Sequence, residues 1–261
     1  MNEMTPGLVA GMCAVLGLAI GSFLNVVAHR VPRGESVVSP PSACPQCGEP
    51  IRSRHNVPVL GWLLLRGRCY DCGAGISARY PLVEAGTGVL FALAGWQFAD
   101  RPALLAAYLA FAAVAVALTL IDLDVRRLPN AIVLPAYPVL AVLLALDADG
   151  KDLLRAGLGA ALLFAFFFLL AMAAPGSMGF GDVKLAGVVG GMTAYLSWGT
   201  ALTGAFGAFV LGALAGVLLM VGRRAGRRTA VPFGPFMLVA AWGSILGASG
   251  LGDLYLARIG A

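Results

Sequence analysis

Long apolar runs separated by short polar joints form the dominant pattern of this chain. Eight runs stand out, near residues 7–28, 82–99, 103–121, 131–146, 153–174, 183–198, 200–221 and 231–249. Crossing the hydrocarbon core of a bilayer takes about 20 residues of helix. The pattern therefore predicts an all-α polytopic membrane protein with about eight transmembrane helices. The sixth run begins beside Asp182 and contains Gly187, Gly190 and Gly191, which makes it the candidate for a re-entrant or tilted segment. The first run lacks a basic stretch before it and ends in Gly21-Ser22-Phe23-Leu24-Asn25 rather than a small-residue cleavage site. It reads as a retained helix and not as a signal peptide.

The pattern breaks once, between residues 31 and 81, in a stretch rich in proline and arginine that holds four of the five cysteines. This gives a division into a first transmembrane helix (1–30), a small cytoplasmic insert (31–81) and a multi-helix membrane domain (82–261). An insert of about 50 residues is near the size at which a hydrophobic core alone is marginal, so a metal staple is expected.

Composition agrees with the pattern: 59% of residues are hydrophobic and 12% charged, against roughly 45–50% and about 25% for a soluble domain. The net charge of +5 matters less than its placement. Seven arginines lie from Arg30 to Arg79, two at Arg126 and Arg127, one lysine at Lys184 and four arginines from Arg223 to Arg228. In an eight-helix arrangement with the N-terminus outside, these fourteen of eighteen cations fall on one face, which the positive-inside rule makes cytoplasmic. The basic balance is thus topological, and no nucleic-acid partner is expected.

Cys44-Pro45-Gln46-Cys47 and Cys69-Tyr70-Asp71-Cys72 are two C-x2-C pairs separated by 21 residues. Each pair can offer two thiolates to one ion, and four thiolates complete a tetrahedral zinc with no open position. A structural Zn²⁺ on Cys44, Cys47, Cys69 and Cys72 is expected in preference to disulfides, since the cytoplasmic side is reducing. Cys13, alone in the first run, reads as a small core residue.

Charges at the edge of membrane helices are costly and invite a functional reading. Asp122 and Asp124 close the third run, and Asp182 follows Gly179-Phe180-Gly181 at the start of the sixth. The topology puts all three at the cytoplasmic interface. Two carboxylates brought together there resist double ionisation and can share one proton across a water. One then serves as general base while the other polarises a peptide carbonyl, an arrangement suited to peptide hydrolysis without a covalent intermediate. Gly179 and Gly181 would let the backbone turn tightly beside the carboxylate, and Lys184 could pair with a carboxylate or a lipid phosphate. His29 and His55 have no serine or cysteine partner, and the metalloprotease signature H-E-x-x-H is absent. A Gly-rich dinucleotide turn is absent as well.

Taken together these motifs resemble the bacterial prepilin peptidases, the type IV leader peptidase family of pilus and type II secretion systems. The resemblance runs through Gly21 to Val27, Ser39-Pro40-Pro41-Ser42, the two cysteine pairs, Asn56-Val57-Pro58, Arg66-Gly67-Arg68, Tyr80-Pro81 and Glu84. It continues through Leu128-Pro129-Asn130, Leu134-Pro135, Met178 to Leu185 and Val231-Pro232-Phe233-Gly234-Pro235-Phe236. It implies that Asp122 and Asp182 are the catalytic pair, with Asp124 a neighbour that tunes the charge. It further implies cleavage after a glycine on the cytoplasmic face of the bacterial inner membrane. The substrates would be type IV prepilins or pseudopilins, held amid membrane lipid. A second implied activity is N-methylation of the new N-terminus with S-adenosylmethionine, attributed to the insert; Gly67 and Glu84 carry over as positions of that methylation region. Asn130 stands where many members have aspartate, which is expected to be harmless. The alternatives are a peptidase without methylation, or a non-enzymatic scaffold or transporter with a zinc docking knuckle. A transporter would favour charges near the bilayer midplane, whereas both aspartates here sit at one edge.

Overall fold

A computed structural model describes residues 5–147, 150–174, 178–222 and 232–259. The Arg223 to Arg228 cluster and Val231 lie outside the described residues. Helix α1 spans Pro6–Arg30, α2 Leu60–Leu64, α3 Arg79–Gln97, α4 Pro102–Val125 and α5 Asn130–Ala145. Next come α6 Gly150–Ala173, α7 Phe180–Leu196, α8 Trp198–Val221, α9 Gly234–Gly243 and α10 Ser249–Ile259. Among the described residues, extended pairing is limited to two isolated bridges, Ala43 with Pro50 and Arg68 with Gly75.

A helix lies at each of the eight apolar runs. By length and composition four can cross a membrane, namely Pro6–Arg33, Pro102–Val125, Gly150–Ala173 and Trp198–Val221, and Asn130–Ala145 and Gly234–Gly247 are shorter apolar helices. Leu158, Leu162 and Leu169 on α6 and Phe206, Leu214 and Val217 on α8 face outward. Apolar surface of this extent suits a helical membrane protein and not a water-soluble one.

The chain divides into two compact units, Met1–Ala117 and Leu118–Ala261, the division falling within α4. In the first unit α1 packs along α3. The contact is close because it runs through small residues: a Cβ on Gly21 would stand 2.8 Å from Glu84 Cα, and one on Gly95 2.9 Å from Cys13 Sγ. Cys13 is accordingly a buried core residue. Pro81 falls in the first turn of α3, where its missing N–H costs nothing.

In the second unit α7 is the central helix, packed against α5, α6, α8 and α9. The sixth apolar run, whose glycines suggested a re-entrant segment, is one continuous helix buried along most of its length. Its glycines serve close packing instead: a Cβ on Gly190 would stand 2.8 Å from Leu163 Cβ. Both ends of α7 are fixed. Tyr137 on α5 donates its hydroxyl to Lys184 O at 2.6 Å. Arg155 on α6 donates to Ala194 O at 2.6 Å, Leu196 O at 3.2 Å and Tyr195 O, satisfying the orphan carbonyls of the C-terminus. Ser197 then caps α8, its Oγ accepting the Thr200 N–H at 2.9 Å.

The last apolar run departs from expectation. It breaks at Gly247, whose φ of +145° is open to glycine, and α10 continues beyond it and packs back on α8. Asp253 and Arg258 interrupt the hydrophobic pattern there, which is why periodicity did not mark a helix.

Candidate active site and metal centre

The end of α4 and the start of α7 carry the aspartates. Helix α4 stops where Arg126 takes a left-handed φ of +53°, its N–H still bonded to Asp122 O at 2.9 Å. Leu128 and Pro129 follow, and Pro129 is the N-cap of α5. Successive positions of a helix advance about 100°, so Asp122 and Asp124 point to nearly opposite sides. Asp122 is 5% exposed and Asp124 lies at the surface.

Asp182 occupies the third position of α7, whose N-cap is Gly179. Its N–H donates to Gly179 O at 3.0 Å, and its carboxylate lies beside the N-cap backbone, Oδ2 3.4 Å from where a Cβ on Gly179 would stand. Gly179 has φ of −73° and ψ of 140°, ordinary extended backbone. Gly181 is required by space: a Cβ there would stand 2.9 Å from Leu128 Cβ. The two glycines thus seat Leu128 and the N-cap, without a left-handed turn.

The start of α9, at Gly234, borders both helix ends through Leu128: a Cβ on Gly234 would stand 3.5 Å from Leu128 Cδ1, and one on Gly181, next to Asp182, 2.9 Å from Leu128 Cβ. A Cβ on Gly234 would stand 2.8 Å from Asp122 Oδ2. That oxygen is buried and completes no hydrogen bond of its own, an orphaned acceptor of the kind that active sites retain. Lys184 pairs with neither carboxylate in a formed salt bridge; it donates to Asn130 Oδ1 at 2.8 Å and lies 4.9 Å from the Phe180 ring centre. Gly234 was legible only as part of a Pro-Phe-Gly-Pro block; nothing in the sequence pointed it at the carboxylates.

The insert folds around its cysteines. The Sγ atoms of Cys44, Cys47, Cys69 and Cys72 all lie within 4.8 Å of one another, with Cys44 and Cys72 3.8 Å apart. The two pairs are built alike. Cys44 N–H donates to Glu49 O at 3.0 Å and Gly48 N–H to Cys44 O at 2.9 Å, and Cys69 N–H donates to Ala74 O at 2.7 Å and Gly73 N–H to Cys69 O at 3.0 Å. Gly48 at φ +75° and Gly73 at φ +72° allow the chain to turn under the sulfurs. Backbone amides of Cys47 and Gln46 hold the Cys44 thiol down to about 7. Four converging sulfurs of this kind could hold a metal ion. Asp71 braces the second pair through an ion pair with Arg52 at 2.7 Å, and Arg52 also stacks 4.4 Å from the Tyr70 ring centre.

Gly67 and Glu84 are both engaged by the insert. Gly67 has φ of +67°, and a Cβ on it would stand 2.8 Å from the Trp62 ring, whose Nε1 donates to Ile76 O at 3.0 Å. Glu84, on α3, accepts the Val59 N–H on Oε2 at 2.7 Å. Val59 itself has φ of +60°, an unusual conformation for a β-branched residue, and the bond to Glu84 helps hold it.

The cysteine half and the aspartate half of the chain match two families of known proteins. Residues 15–98 match the Bacterial Peptidase A24 N-terminal domain and residues 109–259 the Type IV leader peptidase family. Curated relatives extend over most of the chain. A prepilin leader peptidase/N-methyltransferase of Neisseria gonorrhoeae is 36% identical over 260 residues, 88% of each chain. One of the same name from Pseudomonas putida is 36% identical over 93% of this chain and 92% of its own. Another, from Aeromonas hydrophila, is 34% identical over 96% and 95%. No solved structure matches. With Asp122, Asp182 and the four-cysteine insert all lying inside these matches, the chain belongs to the type IV leader peptidase family.

Proposed function

We propose that this chain is a prepilin leader peptidase and N-methyltransferase of the bacterial inner membrane. It cleaves type IV prepilins or pseudopilins after a glycine on the cytoplasmic side, with Asp122 and Asp182 as the catalytic pair. The observation that carries this reading is the orphaned, buried Asp122 Oδ2 against Gly234, with Gly181-Asp182 seated on the same Leu128. Family membership supports cleavage and methylation alike.

The pair works as a unit holding one proton. The ionised carboxylate takes a proton from a water positioned between the two as the water oxygen bonds to the scissile carbonyl carbon. The protonated partner donates its proton to the carbonyl oxygen. Collapse of the tetrahedral adduct breaks the C–N bond: the proton first taken from water passes to the leaving amine, and the partner carboxylate takes a proton back from a hydroxyl of the adduct, which leaves a carboxylic acid and restores the one-proton pair. Asp124, exposed on the far side of α4, tunes the charge without taking part. Eight helices, with the N-terminus outside, deliver both aspartates to the cytoplasmic edge where the leader lies and surround them with lipid. The chain is organised as the first helix (1–30), the insert (31–81) and the peptidase domain (82–261).

The insert is held by structural zinc. A tetrahedron with Zn–S of ~2.3 Å has an S···S edge of ~3.8 Å, and the Cys44–Cys72 spacing of 3.8 Å fits it. S-adenosylmethionine, when bound, supplies an electrophilic methyl group to the amine freed by cleavage. Gly67 and Glu84 shape the insert that serves this second activity.

Cleavage of a prepilin by purified protein in detergent, followed by methyl transfer from labelled donor, tests both halves. Asp122→Ala or Asp182→Ala with full cleavage activity would end the pair proposal. Cleavage without methyl transfer by wild-type protein would reduce the reading to a peptidase alone.

A further inference from the structure

Outside the two aspartates, the position with the most unusual surroundings is Gly234. It is the first residue of α9, a ten-residue helix whose N-terminal amides lack intrahelical partners and carry the positive end of the helix dipole. Pro235 follows and has no N–H, so the Gly234 amide is one of the few donors this terminus can offer. Through Leu128 the same terminus borders the start of α7, where a Cβ on Gly181 would meet Leu128 Cβ at 2.9 Å. A side chain at Gly234 would stand 2.8 Å from Asp122 Oδ2 and 3.5 Å from Leu128 Cδ1. The facing oxygen is buried and without a completed hydrogen bond. The other charged group nearby on α7, Lys184, is turned to Asn130.

We infer that Gly234 is a positioning residue of the peptidase site: the bare backbone at the start of α9 closes on Asp122, and its amide orients the carboxylate pair for attack by water. The inference rests on the reading of Asp122 and Asp182 as the catalytic pair. Its physical basis is that a preorganised amide needs no reorganisation during reaction, and that only glycine lets the backbone come this close. Phe233 anchors the approach, its ring 5.4 Å from that of Phe209 on α8 and 5.8 Å from that of Phe167 on α6.

The test is prepilin cleavage by full-length protein in detergent, comparing wild type, Gly234→Ala, Gly207→Ala, Asp122→Ala and Asp182→Ala. Gly207 is a control because a Cβ there meets Ala240 Cβ at 3.2 Å, a helix contact without a carboxylate. Folded Gly234→Ala is expected to lose about 100-fold in kcat with little change in KM. Its kcat/KM profile should also move along the pH axis, since the carboxylate pair loses an oriented neighbour. Gly207→Ala keeps the wild-type pH profile. Wild-type kcat in Gly234→Ala, or a loss with an unmoved pH profile, overturns the inference. If Gly234→Ala does not fold, the amide resonance of Gly234 decides, labelled through carbonyl-¹³C phenylalanine and ¹⁵N glycine; this marks three amides, at Gly181, Gly207 and Gly234, and the first two are identified by their loss in Phe180→Leu and Gly207→Ala. The Gly234 resonance should follow the pH transition of activity and lose that transition in Asp122→Ala; a resonance insensitive to both overturns the inference. Activity in either aspartate variant instead defeats the underlying pair and is distinguishable from all of these.

Discussion

Asp122 and Asp124 stand two residues apart at the end of one helix and face opposite ways, Asp122 5% exposed against Gly234 and Asp124 at the surface. Burial thus distinguishes two carboxylates that the run Leu120-Ile121-Asp122-Leu123-Asp124 presents alike, and it supports the proposed assignment of Asp122. Removing a positioned general acid or base costs roughly 10²–10⁴ in rate. Asp122→Ala and Asp182→Ala should therefore drop kcat by at least about that amount in prepilin cleavage. Asp124→Ala should stay within a few-fold of wild type. Loss in Asp124→Ala with retention in Asp122→Ala would reverse the assignment.

Metal analysis of freshly purified protein should find zinc, and Cys44→Ser or Cys69→Ser should release it and expose the insert to protease. The pH sign follows from the ligands being thiolates. Backbone amides lower the Cys44 thiol, whereas Cys47 and Cys72 are raised, so the four ligands share no single titration point. Protons compete with the metal for all four, and retention falls as pH falls and rises as pH rises. Zinc lost on raising the pH from 7 to 9 would contradict this.

Gly67→Ala forces a side chain onto a φ of +67° and against the Trp62 ring. A left-handed non-glycine residue costs about 1–2 kcal/mol, and the ring contact adds to it. Thermal unfolding of the insert should fall by several degrees, with methyl transfer lost in proportion to folded protein. A fully folded Gly67→Ala that cannot methylate would instead indicate direct contact with the methyl donor.

Glu84→Gln keeps an oxygen for the Val59 N–H, which Glu84 now accepts at 2.7 Å, whereas Glu84→Ala leaves that donor unsatisfied. A lost partner of this type costs about 1–3 kcal/mol. Limited proteolysis between residues 50 and 80 should accelerate in the alanine variant and change little in the glutamine variant. Equal sensitivity of the two would show that charge, and not the bond to Val59, is what matters.

Asn130→Asp turns the Lys184–Asn130 hydrogen bond of 2.8 Å into an ion pair. Partly exposed pairs are worth roughly 0.2–1 kcal/mol. The melting temperature in detergent should rise slightly or stay constant, and cleavage should be unchanged. A large fall in kcat would place Lys184 in the catalytic machinery.

Apolar runs, the four cysteines and the aspartates could be read from the chain because each rests on local chemistry. A run of about 20 apolar residues has one inexpensive environment, and C-x2-C pairs place their thiolates through turns made by adjacent glycines. Spacing alone could not say which face of α4 meets α7; the family resemblance favoured Asp122 over Asp124, and helix rotation and burial supply the physical difference between them. Nor could periodicity distinguish a glycine-rich re-entrant segment from α7, whose glycines serve contacts with α6 and the α4–α5 joint. Helix α10 was missed because its polar residues break the run and its place is set by packing on α8. The sequence by itself determined a helical membrane protein with a four-cysteine insert and acidic residues at helix ends. Tertiary structure decided that α9 brings the bare backbone of Gly234 against Asp122, because a contact between residues more than 100 positions apart depends on how helices pack and leaves no local pattern.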